Sequence, residues 1–239
     1  LSSRREYTKI NPFVVLLGKG DHQITSEVPD PALDVMGLWE NSVLEDTISV
    51  TCSSITFRGK GKGETNILGG ILVEYQNNIV FEQMTVSNVH YNGITMYGSE
   101  VELLDVTIEN CCIGGLCCGE IEYTANNNTF PKCIVTARRC EFIGNGYTNF
   151  GVSINESIAH FYDCIARDHM DNGIDGANAI IHVYGEATAI HSNLGYGIYA
   201  LGTTKVSIHL PSHHNTLYNN TDGDRKVNSR DGSGYITNV

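Results

Sequence analysis

The sequence predicts an all-β solenoid of about eight coils, in which short strands and tight turns repeat along one domain. A glycine followed by an aliphatic residue recurs at a nearly fixed interval, and a second strand-like run follows each of these motifs. No stretch has the apolar periodicity of a helix of three turns. The 25 glycines and 5 prolines agree with many turns between short strands.

The glycine motif sets the length of the repeat. It occurs as GGILVEY, NGITMYG, GGLCCGE, FGVSINE, NGIDGAN and YGIYALG, and its glycines are Gly70, Gly93, Gly115, Gly151, Gly173 and Gly197. The intervals between them are 23, 22, 36, 22 and 24 residues, and the long one contains a polar insertion at 120–132. A β repeat of this length cannot bury its apolar face alone, so each coil must stack on the next.

The second strand-like run of each repeat ends in a polar turn. The turn residues, which lie five residues before the next glycine or one position away from that, are Asn88, Asn110, Asn145, Asp168 and Asn193. Stacked coils place equivalent positions in rows ~4.8 Å apart. We therefore expect these residues to form a polar ladder in one turn of every coil.

Alternation along the strands predicts the rows that face the core. The residues one position after each glycine are Ile71, Ile94, Leu116, Val152, Ile174 and Ile198. Those three positions after it are Val73, Met96, Cys118, Ile154, Gly176 and Ala200. The second run contributes the pairs Met84/Val86, Val106/Ile108, Cys140/Phe142, Cys164/Ala166 and Ala187/Ala189.

With these repeats the sequence resembles the right-handed parallel β-helix proteins of the pectin-lyase-like class. FVVLLGKGDHQI (13–24) is similar to the opening coil of that class, and ITFRGKGKGETNILGG (55–70) is similar to its early coil. The resemblance implies a single-stranded right-handed parallel β-helix but matches no specific enzyme family. We expect an N-terminal cap and first coil over 1–46, regular coils over 47–210 and a C-terminal cap over 211–239.

The net charge limits the classes of molecule that the chain is expected to bind. A net charge of −12 and a pI near 5.1 argue against duplex nucleic acid, which needs a basic face. They also disfavour a bare polyanionic substrate unless a cation bridges it. No apolar run approaches the ~20 residues of a membrane-spanning helix. Glycosylation sequons at Asn127, Asn155 and Asn219 slightly favour an extracellular location if they are used. The oligomeric state is not predicted.

Half of the eight cysteines lie in ENCCIGGLCCGE (109–120). Neighbouring residues on a strand point to opposite faces, so Cys117 and Cys118 do not easily ligate one ion. The repeat places Cys118, Cys140 and Cys164 in core rows, where a thiol packs as a small apolar group. Unpaired core thiols are therefore the main expectation, with a Cys140–Cys164 disulfide and a metal site as alternatives.

Three histidines occur in similar contexts, which predicts a second ladder on an outer face. They are His160 in IAHFYD, His182 in IIHVYG and His209 in SIHLPS. We interpret this ladder as structural, with metal binding as the alternative. A weaker candidate for an adventitious cation site combines His209, His213 and His214 with Asp222 and Asp224.

The solvent face of the glycine-led strand is the main functional candidate. Its aromatic and amide residues, the candidates for substrate binding, are Tyr91, Tyr97, Asn155, Asn172, Tyr196 and Tyr199. Aromatic rings stack on sugar rings, and amides and carboxylates bind hydroxyl groups, so we expect a polysaccharide partner. The resemblance implies the same, since an elongated polysaccharide lies along such a strand ladder in the enzymes of that class. We call these residues, together with Asp171 and Asp175, the outer strip.

The segment ARDHMDNGIDG (166–176) has the densest chemistry of the strip. Its catalytic candidates are Arg167, His169, Asp171 and Asp175, which would act by acid–base chemistry on a glycosidic bond or a uronate C5 proton. The same carboxylates are the candidate ligands for Ca²⁺, while no other cofactor is expected. The alternative is that Asp168 closes a turn of the polar ladder and the others are ordinary surface residues.

The sequence motifs of the outer strip differ from those of the enzymes in the class that the sequence resembles. Asn172, Asp175 and Gly176 match the Asn-Thr-Asp of polygalacturonase-like hydrolases only loosely, and the chain has no Gly-His-Gly and no Asp-Pro-His. The leading hypothesis is therefore a carbohydrate-associated binding or scaffold module. The alternatives are a polysaccharide lyase, hydrolase or epimerase centred on residues 167–175, and a purely structural module of a larger assembly.

Overall fold

The computed structural model describes residues 6–25, 27–29, 43–88, 90–119, 131–146, 150–209 and 216–239. Several predictions lie outside these residues. They are residues 1–5 and 30–42 in the predicted N-terminal cap, most of the insertion 120–132, the sequon at Asn127, the histidines His213 and His214, and the start of the predicted C-terminal cap.

The described residues form 25 strands and no helix. In chain order the strands are β1 (Phe13–Leu16), β2 (Gly20–Gln23), β3 (Glu27–Pro29), β4 (Val43–Glu45), β5 (Thr47–Val50), β6 (Ile55–Arg58), β7 (Thr65–Leu68), β8 (Gly70–Glu74), β9 (Ile79–Ser87), β10 (Ile94–Tyr97), β11 (Glu100–Glu109), β12 (Leu116–Cys118), β13 (Ile134–Arg138), β14 (Glu141–Ile143), β15 (Val152–Asn155), β16 (Ile158–Tyr162), β17 (Ile165–Arg167), β18 (Ile174–Ala177), β19 (Ile180–Tyr184), β20 (Ala189–His191), β21 (Tyr196–Leu201), β22 (Lys205–His209), β23 (Leu217–Tyr218), β24 (Gly223–Asn228) and β25 (Tyr235–Asn238).

Three ladders of parallel strands form the walls of the solenoid. Ladder A pairs β1, β6, β9, β11, β13, β16, β19, β22 and β25 in that order. Ladder B pairs β2, β7, β9, β11, β14, β17, β20 and β23, and it joins ladder A in one sheet because β9 and β11 run through both. Ladder C pairs β5, β8, β10, β12, β15, β18, β21 and β24.

The chain visits the ladders in the fixed order A, B, C and then advances by one coil. Strand-to-strand connections between parallel neighbours are right-handed in nearly all proteins, and the sheets curl as in a right-handed parallel β-helix. The predicted β-helix of about eight coils is thus confirmed, with eight strands in ladder C. Outside the ladders, β3 and β4 form a small antiparallel pair. Strands β24 and β25 continue ladders C and A into the segment that is predicted as the C-terminal cap.

The core contains the predicted rows of ladder C. Ile94, Leu116, Val152 and Ile198 pair in register and are fully buried. In ladder B the inward prediction for Ala187 and Ala189 is wrong, since Ile190 lies opposite Ala166 and is buried instead. The turn from Tyr184 to Ala189 is longer than the turn from Tyr162 to Ile165, and this shifts the register.

A buried polar ladder lines the turn between ladders B and C. Its members, one from each coil and all buried, are Asn88, Cys111, Asn145, His169, Asn193 and Asn220. The expectation that Asn110 and Asp168 belong to it is wrong. Both adopt positive φ angles, 54° and 60°, and the residue after each one enters the ladder.

Hydrogen bonds connect the ladder to the backbone of neighbouring coils. The Asn145 Oδ1 accepts from the Cys111 N–H at 2.9 Å, and the Asn145 Nδ2 donates to the Ile108 carbonyl at 2.8 Å. Two coils further on, Asn193 Oδ1 accepts from the His169 N–H at 3.1 Å, and Asn193 Nδ2 donates to Asn220 Oδ1 at 2.8 Å. Each amide therefore satisfies backbone groups that the turn would otherwise leave buried and unpaired.

The repeated glycines make room for this ladder. A Cβ on Gly173 would lie 2.7 Å from Asn193 Nδ2 and 2.8 Å from the Gly197 carbonyl oxygen. On Gly70 and Gly197 it would also lie 2.7 Å from the ladder amide of the following turn. None of these three glycines has a positive φ, so close approach and not backbone conformation excludes a side chain.

We expect Gly173→Ala to destabilise the fold by about 1–3 kcal/mol, because the new methyl group overpacks the contact with Asn193. The midpoint of urea unfolding measures this change. Gly18→Ala is the matched control, since a Cβ there meets nothing within 4 Å and its φ is not positive. Equal midpoints for the two variants would contradict the close-contact explanation.

Candidate functional site

The outer face of ladder C places the strip residues in register. Thr95, Cys117, Ser153, Asp175 and Tyr199 occupy equivalent positions on five successive strands. Alternation with the buried inward rows directs this row outward, as the sequence predicts. The row is recessed, since Thr95, Ser153 and Asp175 are each less than 10% exposed.

Asp175 is the least exposed carboxyl group of the strip. Only 8% of the residue is exposed, and its Oδ2 accepts a hydrogen bond from Asn172 Nδ2 at 3.0 Å. Burial raises its pKa to about 7, the Asn172 hydrogen bond opposes this, and the Asp171 charge adds to the increase. Near neutral pH this carboxyl group is therefore poised to hold or release a proton.

Asp171 is the more exposed partner of Asp175. Burial raises its pKa too, mainly through desolvation and with a contribution from the charge of Asp222. Gly195 leaves room for this side chain, because a Cβ there would lie 2.6 Å from Asp171 Oδ1. Three carboxyl groups, Asp171, Asp175 and Asp222, thus influence one another at this point of ladder C.

Asn172 fixes the geometry of the pair. Its Oδ1 accepts a hydrogen bond from the Tyr196 N–H at 2.6 Å, while its Nδ2 donates to Asp175. One amide thereby ties the carboxyl group to the backbone of the next coil. Asn172 was predicted to bind substrate, and its burial at 7% exposure suits a positioning residue better.

His169 does not lie on the strip, contrary to its grouping with the outward catalytic candidates. It occupies the buried polar ladder at 1% exposure, where its Nδ1 accepts a hydrogen bond from the Asn145 N–H at 3.0 Å. Burial lowers its pKa to about 4. The reason is the register of the turn, which places the residue after Asp168 in the ladder.

Arg167 lies on another wall. It ends β17 in ladder B, where it pairs in register with Ile143 and His191 and forms an ion pair with Asp168. Of the four catalytic candidates, only Asp171 and Asp175 come together. The turn between Arg167 and Asp171 carries the chain from ladder B to ladder C. Residues that are close in the sequence therefore lie on different walls, and the sequence of this segment does not indicate the change.

The aromatic part of the strip is clearest near its C-terminal end. The rings of Tyr196 and Tyr199 stack with centroids 5.9 Å apart, and both side chains are partly exposed. Asn228 Nδ2 donates to the Tyr199 hydroxyl at 2.9 Å. The Nζ of Lys226 lies 6.0 Å from the Tyr196 ring centroid.

The N-terminal part of the strip is partly exposed as well. Tyr91, Tyr97 and Asn155 are all half-buried, and Asn155 Nδ2 donates to Ser153 Oγ at 3.2 Å. Tyr91 lies in the turn that leads into β10, where its N–H donates to Asn88 Oδ1 at 3.3 Å. The strip therefore extends over the coils from β10 to β24.

Strand β24 and the residue before it contribute side chains that the sequence did not assign to the strip. The charge of Asp222 raises the pKa of Asp171, and Lys226 and Asn228 contact the two tyrosines. These residues could have been identified from the sequence only if the pairing register of the last coil had been known. The segment 216–239 lacks the glycine-led motif at the expected spacing, so the sequence gives no register there.

The outer face of ladder A contains the second predicted ladder in a modified form. His160 and His182 pair in register, as predicted, and their rings stack with centroids 5.0 Å apart. His209 instead lies opposite Tyr184, in the neighbouring row with Tyr162. Two parallel rows of rings cover this wall.

The described residues contain no group of three His, Cys, Asp or Glu side chains that could hold a metal ion. Cys118, Cys140 and Cys164 are buried, as their register predicts, and Cys140 and Cys164 carry free thiols. No helix among the described residues is long and apolar enough to cross a membrane.

Comparisons with known proteins add little to this geometry. No protein-family model matches the chain, and no curated protein sequence matches it significantly. A solved structure of a pectin methylesterase variant in complex with a hexasaccharide is similar over 100% of this chain and 86% of that chain, with 11% identity and a TM-score of 0.47. A similarity of this size carries no argument about function. The strand pairing itself shows that the chain has a parallel β-helix architecture.

We expect His169→Asn to make the protein less sensitive to acid. The folded chain keeps His169 neutral down to about pH 4 whereas the unfolded chain protonates it near 6.5, so stability falls between these values as the pH decreases. The loss amounts to about 3 kcal/mol. An asparagine there could accept the same Asn145 hydrogen bond and has no proton to gain.

Urea unfolding at pH 7 and pH 4.5 measures the effect. His169→Asn should reduce the difference in unfolding free energy between the two conditions, and His22→Asn on strand β2 should leave it unchanged. An unaltered acid dependence in His169→Asn would show that His169 does not cause the loss.

Proposed function

We propose that the chain binds an extended, uncharged polysaccharide along the outer face of ladder C. The observation that carries this proposal is the outer strip itself, in which partly exposed aromatic rings alternate with amide, hydroxyl and carboxyl groups over successive coils. A polymer that lies along the axis would meet similar groups at every coil, ~4.8 Å apart. That repeat is comparable to the length of one sugar unit.

The charges of the strip favour an uncharged polymer over a polyuronate. Asp171, Asp175 and Asp222 gather at one point of ladder C, and the chain as a whole carries a net charge of −12. A polyanion would be repelled by both. Lys226 is a basic group near the tyrosines, on the strand that follows Asp222.

The test is affinity electrophoresis, followed by calorimetry, against neutral and acidic polysaccharides. Tyr196→Ala and Tyr199→Ala should each weaken binding of the retained polymer by roughly 2- to 10-fold. This fold-change corresponds to the loss of one aromatic contact, which contributes about 0.5–1.5 kcal/mol. Tyr218→Ala is the matched control, because Tyr218 also stacks on a ring, that of His191, but on ladder B.

Retention of neutral polymers with loss in the two strip variants supports the proposal. Retention that is equal in all three variants would place binding elsewhere. If no polymer is retained, the sugar-binding proposal is wrong and a structural role in a larger assembly is favoured.

A second candidate function is acid–base cleavage of the bound polymer. One observation favours it: two neighbouring carboxyl groups lie in unequal environments, with Asp175 buried and the more accessible Asp171 beside it. Such a pair suits a division of labour in which Asp175 donates a proton to the leaving group and Asp171 acts as the ionised partner. Arg167 and His169 have no part in this scheme.

Reducing-end release and ultraviolet detection of unsaturated products, over the same panel of polymers, test the second function. Asp175→Asn should abolish product formation while it leaves polymer binding nearly unchanged, since the amide keeps the shape and the hydrogen bond. Asp21→Asn on strand β2 should retain full activity. Absence of product from the unmodified chain, or equal rates in the Asp175→Asn variant, would exclude catalysis at this pair.

A further inference from the structure

The ring-covered wall of ladder A brings two imidazoles into direct contact. His182 Nδ1 and His209 Nε2 are 3.1 Å apart, on the neighbouring strands β19 and β22. The two residues are separated by 27 positions in the sequence. They are not at equivalent positions of their strands, so the sequence repeat alone does not predict this contact.

The surrounding rings hold both imidazoles in place. His182 stacks on His160 with the planes 5° apart, and His209 stacks on Tyr184 with centroids 4.4 Å apart. Tyr184 stacks in turn on Tyr162, with centroids 4.5 Å apart. The strands fix the backbone of all five residues, and the site is therefore preorganised before any ligand arrives.

A neutral imidazole has one ring nitrogen without a hydrogen, and this is the form of histidine that ligates metals.

We propose that His182 Nδ1 and His209 Nε2 together bind one divalent first-row transition-metal ion, with copper(II) preferred over nickel(II) and zinc(II). With metal–nitrogen bonds of about 2.0–2.1 Å, two nitrogens at this separation subtend an angle of about 100° at the ion. That angle lies between the square-planar and tetrahedral values, and the order of preference follows the general affinity series.

Binding requires a rearrangement of one hydrogen atom and no net loss of a proton. In the neutral pair one imidazole donates its N–H to the other, so only one lone pair faces the gap. When the ion enters, the donor ring moves that hydrogen to its second nitrogen and presents a second lone pair. Both rings remain neutral, and water completes the coordination sphere.

His160 is not assigned as a third ligand, because no three His, Cys, Asp or Glu side chains of the described residues are grouped so that they could hold one ion. Its ring lies parallel to that of His182, with the centroids 5.0 Å apart. Its buried Nδ1 also has no hydrogen-bond partner among the described residues. We therefore assign it a positioning role, through stacking on His182.

The test is calorimetric titration of the full chain with CuCl₂, NiCl₂ and ZnCl₂ separately, starting from metal-free protein. We expect one equivalent of copper(II), with at least about tenfold weaker binding in His182→Ala and in His209→Ala. Loss of the ligand itself should cost no less than the loss of an outer-shell partner. Electron paramagnetic resonance of the copper complex should show two nitrogen donors, and the binding should weaken as the pH falls and the imidazoles protonate.

Two controls keep the test specific. His191→Ala removes a histidine that also stacks on a tyrosine, with centroids 4.7 Å from Tyr218, and it should leave affinity unchanged. The double change His213→Ala with His214→Ala examines the two histidines that follow His209 in the sequence. Circular dichroism of each variant confirms that it folds.

Three outcomes would overturn the proposal. The first is that no ion binds to the folded chain. The second is binding that survives both His182→Ala and His209→Ala. The third is binding that disappears only in the His213 and His214 double variant, which would place the ion on that segment.

Discussion

One steric contact is the constraint on which the structure depends. It joins the repeated glycine of each ladder C strand to the side chain of the buried polar ladder in the following turn between ladders B and C. Wherever the ladder residue is an amide, a Cβ on that glycine would lie within 2.6–2.7 Å of its nitrogen. The amide must come this close because it bonds to backbone groups of the neighbouring coil. One residue type thus repeats for a steric reason and the other for a hydrogen-bonding reason, and together they set the height of the coil.

The same constraint positions the candidate site. Asp171 and Asn172 follow the ladder residue of their turn, and Gly173 then leads into β18 with a fixed register, so Asp175 faces outward two residues later. The next turn repeats the pattern, which brings the Tyr196 N–H to the Asn172 side chain. The carboxyl pair therefore lies between two turns that the buried polar ladder holds rigidly. The ladder residues themselves do not reach the outer face, where a substrate would bind.

The sequence predicts the ladders well where the repeat is regular and poorly where the turns differ in length. Gly-led strands share one register, so the inward isoleucines and the outward Asp175 could be assigned from alternation alone. The ladder residues Cys111 and His169 could not, because they are not asparagines and the turns vary by one or two residues. Asp222 and the His182–His209 contact depend on the register between coils, and a pattern within one coil does not contain that information.

The energetics of Asp175 distinguish it from a residue that only supports the fold. Its folded pKa of about 7 exceeds the unfolded value of 3.8, so the group costs stability as the pH rises between these values, by about 4 kcal/mol above the upper one. Thr95 and Ser153 fill equivalent positions without any such cost. His169 also costs stability, at acid pH, but it is buried inside the ladder where no ligand can reach it. Asp175 combines the cost with a recessed place on the outer row beside a second carboxyl group, and this combination supports the proposal that the pair binds or acts on a substrate.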